Sequence, residues 1–104
     1  MTYQVRVHDL FRQDVDELID WFEEAVVGLG SEFADAVDNA LDRLVARPNS
    51  HRVVIDTYRR VLIPRFRALV LFMVEGDRIY VAGVLHASRD LRAWVDRRFS
   101  PADE

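Results

Sequence analysis

The chain has 104 residues, half of them apolar, a net charge of −4 and no cysteine, which fits one compact domain over residues 1–104 and excludes disulfides, thiolate nucleophiles and cysteine-held metals. Its charge is divided: residues 1–42 hold two arginines against eleven acids, residues 43–100 twelve arginines against five acids, and no lysine occurs, so two surfaces with different partners are expected. The start has no basic segment leading into an apolar stretch, and no apolar run approaches membrane-spanning length, so a cytoplasmic protein without membrane contact is the expectation.

Strict alternation opens the chain, with Tyr3, Val5 and Val7 on one side and Gln4, Arg6 and His8 on the other, the pattern of a half-buried strand. Asp9 stands where a helix N-cap would. Behind it Phe11, Val15, Leu18, Ile19, Phe22, Ala25, Val26 and Leu29 recur at helical spacing among acids, which predicts an amphipathic helix ending near Gly28–Gly30. Ser31 is placed to cap a second helix with the stripe Phe33, Val37, Ala40, Leu41, Leu44 and Val45, closed by Pro48. The short link between them predicts an antiparallel helical hairpin.

From Pro48 to about Thr57 the chain reads as a polar connection. Residues 59–63, 67–74 and 78–85 are then rich in β-branched and aromatic side chains, and predict three strands. Glu75-Gly76-Asp77 joins the last two as a hairpin turn. Both sides of LVLFMV and IYVAGVL are apolar, as in central strands covered on both faces, while Pro64 predicts an edge, bend or bulge. Residues 90–98 can close the chain as a short helix with Leu91, Trp94 and Val95 on one side. The expected fold is therefore α+β, in the order β-α-α-β-β-β: a helical hairpin on a mainly antiparallel four-stranded sheet, with a short C-terminal helix.

The chemistry-bearing residues concentrate in VLHASRDLRAW, residues 84–94. A metal-free nuclease needs a base for a ribose 2′-hydroxyl, an acid for the leaving oxygen, and cations for the growing phosphate charge. His86 is the candidate base, since His8 lies on the polar side of the first strand and His51 in a loop. Candidate phosphate clamps are Arg59, Arg60, Arg65, Arg67 and Arg89; arginine's planar fork suits phosphate or carboxylate. The bland reading is a strand-end histidine bonded to a carbonyl or to Asp90, with arginines solvating a sheet face. Ser88 with His86 and an acid is only superficially a triad, because residues i and i+2 of a turn rarely face one another. Ser88 reads better as a turn residue or cap, with Asp90 supporting the helix start. Paired acids on the first two helices fan around them, so neither metal nor cofactor is expected.

The opening VHDLFRQDVDELIDWF, the helix end LDRLVARP, the strand region RRVLIPRFRALVLFMVEGDRIYVAGV and the ending LHASRDLRAW together resemble the RelE/ParE superfamily of bacterial toxins from type II toxin–antitoxin systems, and its ParE branch more than its RelE branch. The likeness spans nearly the whole chain; its most specific parts are the pair Arg65-Phe66, the acidic turn, and His86, Arg89 and Trp94. It implies a cognate antitoxin whose C-terminal segment wraps and silences the toxin. In the ParE branch it implies DNA gyrase as target; in the RelE branch, ribosome-dependent cleavage of mRNA. A degenerate member that keeps only antitoxin binding is a third reading. The chain departs from the usual pattern at Arg67-Ala68, where many members carry a proline and an aromatic, and at Phe72, where a tyrosine is common; without that hydroxyl the nuclease reading weakens. Residues expected to bind target or antitoxin are Arg59, Arg60, Arg65, Arg67, Arg89, Trp94, Arg97 and Arg98, and for a nuclease the catalytic candidates are His86, Arg65 and Arg89. A homodimer through an exposed helix and a toxin–antitoxin heterotetramer are the assemblies in view, with Trp21, off the main stripe of its helix, as a contact residue.

Overall fold

Periodicity and end signals place every expected element, and the computed structural model, which describes residues 2–100, shows how they pack. Strand β1 (Gln4–Val7) leads into helices α1 (Phe11–Ala25) and α2 (Leu29–Ala46), followed by β2 (Val53–Ile55), β3 (Tyr58–Ile63), β4 (Ala68–Glu75), β5 (Arg78–His86) and α3 (Leu91–Arg98). The sheet order is β1-β5-β4-β3-β2. β1 runs parallel to β5, and the remaining pairs are antiparallel. The sheet thus has five strands where four were expected. The added one, β2, is three residues of the polar connection, with an irregular register against β3; it is too short for alternation to show.

Helix starts differ from expectation in which side chain caps them. Asp9 makes no cap for α1; instead the Leu10 amide donates to Nδ1 of His8 at 3.0 Å. An imidazole that accepts must be neutral, and burial and the Arg98 charge hold the His8 pKa below its ordinary value. Ser31 lies inside α2, not at its cap. Gly28, at φ +90°, turns the chain there, and Glu23 near the end of α1 reaches over to accept from the amides of Gly28 (2.9 Å) and Gly30 (3.0 Å). A carboxylate at the positive end of α2 also suits the helix dipole. Replacing Glu23 with alanine is expected to lower stability by about 1 kcal/mol, read as a shift in urea midpoint with unchanged slope.

Two apolar layers sandwich the sheet. On the hairpin side Val15, Phe22, Phe33, Val37, Ala40 and Leu44 meet Val61, Phe66, Val70, Phe72, Ile79, Val81 and Val84. On the opposite side α3 buries Trp94 and Val95 against Leu69, Leu71, Ala82 and Leu85. Burial on both faces explains why β4 and β5 read as continuous apolar runs. Their register slips between Leu71 and Phe72, where Gly83 and Val81 are the respective partners, a bulge that re-aims the second half of β5. At the tip, Gly76 takes φ +62°, and Glu75 pairs with Arg78 around the expected turn.

Candidate functional site

The second half of β5 outruns β1, whose last pair is Val7 with Val81. A groove of about 880 Å³ opens there, with Val84, Leu85 and His86 on its floor. Gln13, Asp14, Glu17, Leu18 and Trp21 of α1 form one wall, and Ser88, Arg89, Trp94, Arg97 and Arg98 the other.

The inner end of the groove is closed by an ion pair that ties α1 to α3. Arg98 donates to both carboxylate oxygens of Asp14, at 2.6 and 3.0 Å, and to the Ala82 carbonyl at 3.2 Å. The second Asp14 oxygen also accepts from the Val84 amide at 3.2 Å. Both side chains are nearly buried, 9% and 11% exposed, and the guanidinium lies 4.5 Å from the centre of the Trp94 ring. Burial pushes the Asp14 carboxyl above its ordinary value, opposed by the Arg98 hydrogen bonds and charge and by the Val84 amide. Gly83 sits beneath this pair. A Cβ built on it would lie 2.5 Å from Asp14 Oδ2 and 2.6 Å from the Trp94 ring. Gly83→Ala is therefore expected to cost about 1–3 kcal/mol through overpacking, with loss of indole near-UV dichroism before loss of far-UV signal as denaturant is raised.

At the outer end His86 is half-buried, its ring 6.0 Å from that of Trp21, centre to centre. Its Nδ1 accepts from the Ser88 hydroxyl (2.8 Å) and the Ser88 amide (3.2 Å), so the two side chains do meet, contrary to the expectation for an i, i+2 pair. The contact is local to the turn: among the described residues no third side chain bonds the imidazole, which leaves a capped strand end and not a triad. Asp90, not Ser88, caps α3, accepting from the Ala93 amide at 3.0 Å.

The arginines expected at the site divide between it and the rest of the surface. Arg89 and Arg97 stand exposed on the groove rim, with no side-chain partner among the described residues, and Arg98 is spent on Asp14. Arg59 donates to the carbonyls of Asn49 (3.1 Å) and His51 (2.7 Å), holding the connection before β2. Arg65 pairs with Glu32 at 3.1 Å and lies 5.1 Å from the centre of the Phe66 ring. Arg60 is opposite Leu71, on the α3 side of the sheet, and Arg67 occupies a left-handed turn at φ +51°. None of these four lines the groove. Trp94 is 9% exposed and serves packing first; Trp21, at 58%, and Leu10, at 43%, are large apolar side chains the groove offers to solvent. Sequence patterns had singled out neither Asp14 as a partner for Arg98 nor Gly83. Asp14 looked like one acid of an exposed helix face, and its one distinguishing mark is the position it takes four residues before Leu18.

Among the described residues no three side chains converge in a way that could hold a metal ion, and no helix is long and apolar enough to cross a membrane. A helical hairpin and a lone C-terminal helix on opposite faces of a mainly antiparallel sheet, with one parallel pair at its edge, define a small α+β domain. The same fold occurs in a solved structure titled "Chromosomal ParDE TA system from P. aeruginosa", at 13% identity and a TM-score of 0.62, over 82% of this chain and 96% of that one. Residues 5–91 match the family described as "ParE toxin of type II toxin-antitoxin system, parDE", and the chain belongs to that family. No curated protein sequence matches it.

Proposed function

We propose that the chain is a toxin silenced by a cognate antitoxin, and that it acts by holding a protein target, DNA gyrase, without chemistry of its own. The dispersal of the arginines carries this reading. A nuclease must aim several cations and an acid–base pair at one phosphate, whereas here Arg59 and Arg65 are engaged elsewhere, Arg60 and Arg67 lie off the groove, and among the described residues the one side chain that hydrogen-bonds His86 is Ser88. What the groove offers instead is a mixed surface of an exposed indole, two exposed guanidinium groups and an acidic wall, which suits recognition of protein. Antitoxin neutralisation and the gyrase target follow the ParE-branch resemblance.

The test is induction without antitoxin, followed by a supercoiling assay of gyrase with the purified chain. Inhibited supercoiling and DNA-damage signalling are expected, while cleaved transcripts would overturn the reading. His86→Ala separates the two chemistries: loss of a general base costs a nuclease about 10²–10⁴-fold, whereas the inhibitor is expected to keep its toxicity, read as growth after graded induction.

A further inference from the structure

The free edge of β5 carries backbone groups in a definite order. Ala87 donates to the Arg67 carbonyl of the β4 side at 2.7 Å, and Val84 donates the other way, to Asp14. By alternation the Val84 carbonyl and the His86 amide also point away from β4. β1 has ended by then, its rail finishing where the His8 amide donates to the Val81 carbonyl at 2.9 Å. In a parallel ladder one incoming residue bonds the carbonyl before its opposite number and the amide after it. The Ala82 carbonyl and the Val84 amide form such a pair around Gly83, and the side chains of Arg98 and Asp14 fill it. The ion pair thus stands in for one residue of a parallel strand. The next pair, the Val84 carbonyl and the His86 amide around Leu85, faces the groove.

We infer that this groove docks an extended acidic peptide running parallel to β5, with one residue opposite Leu85 bonding the Val84 carbonyl and the His86 amide. An antiparallel segment would need both groups of a single residue. Val84 has already given its amide to Asp14, and the His86 carbonyl accepts from the Arg89 amide at 3.0 Å. Side chains of an extended segment alternate between faces: one set reaches Leu18 and the exposed Trp21 on the α1 side, the other reaches the exposed Arg89 and Arg97 on the α3 side. The occupant is therefore a peptide alternating apolar and acidic side chains. A nucleic acid would bring backbone phosphates against Glu17, whereas an alternating peptide turns its apolar side chains to that wall. The inference rests on the protein-binding reading above, and names the chemistry of the partner at this groove.

The test pans a phage library of linear heptapeptides against the full chain, then follows amide hydrogen exchange with a selected synthetic peptide. Expected are acid-rich, alternating sequences that slow exchange of the His86 amide by about tenfold or more, leave the Ala87 amide unchanged because β4 already protects it, and bind about tenfold or more weakly to an Arg89→Glu/Arg97→Glu variant. N-methylating one central peptide nitrogen should abolish binding while its neighbours tolerate the change. Absence of selected peptides, selection of basic ones, or binding with His86 exchange unaltered would overturn the inference, as would protection of His86 by an oligoribonucleotide. Toxicity and gyrase inhibition are read separately, so a chain that still inhibits gyrase but takes no peptide here loses only this proposal.

Discussion

Truncating Arg98 to alanine is expected to destabilise the fold by about 3–5 kcal/mol, because it leaves the Asp14 carboxylate desolvated with no counter-charge. A domain of this size has only about 5–15 kcal/mol in hand. The guanidinium is bonded to both Asp14 oxygens and to the Ala82 carbonyl, and stacks on Trp94, so truncation strands a carbonyl and exposes an indole face as well. Removing both charges in Asp14→Ala/Arg98→Ala should cost less than the sum of the single changes; a double-mutant cycle in urea measures the coupling. A coupling near zero would show that the pair only fills space. The pH response sharpens the test. A folded carboxyl whose pKa is raised binds its proton more tightly than the unfolded chain, so stability falls as pH climbs from the ordinary value of 3.8 through the folded one. In the parent, Arg98 opposes the shift; without it the decline on going from acid toward neutral pH should steepen. An Arg98→Ala curve parallel to the parent's would refute this.

Phe33→Ala is the second large effect, at about 3–5 kcal/mol. Phe33 is fully buried, its ring 4.9 Å from that of Phe22 and 5.2 Å from that of Phe66. These rings join α1, α2 and the turn before β4, so the cavity has walls on three elements and cannot collapse around one. Phe33→Leu keeps most of the volume and should lose less than half as much. Equilibrium unfolding of both variants, with the same slope as the parent, checks the ordering; a Phe33→Ala variant within about 1 kcal/mol of the parent would show that the site repacks.

Most of the architecture could be read from periodicity, since α1, α2, β4 and β5 each repeat their pattern over enough residues to declare it. What escaped is what lacks a period. β2 has three residues and pairs irregularly. The caps of α1 and α2 come from His8 and Glu23, side chains that lie outside the cap positions, while Asp9 precedes the cap residue Leu10 and Ser31 falls inside α2. The site shows the same limit. His86, Arg89, Trp94, Arg97 and Arg98 gather because they are close in sequence at the β5–α3 corner. Asp14 joins them from 84 positions away along the chain, and only the tertiary fold could reveal that. Conversely, Arg59, Arg60, Arg65 and Arg67 share a basic stretch of sequence, yet strand alternation and a turn send them to different surfaces.

The parallel pairing of β1 with β5 sets an order in time. Gln4 lies opposite Arg78, so the first strand can find its neighbour only after most of the chain exists, whereas the helical hairpin and the β3-β4-β5 meander close through near neighbours. Contacts this distant slow folding, because loop closure must precede the reward. The groove depends on later residues still, Arg97 and Arg98 among them. The order of closure therefore lets the hairpin and the meander form first, and the surface on which any inhibitory action would depend takes shape last.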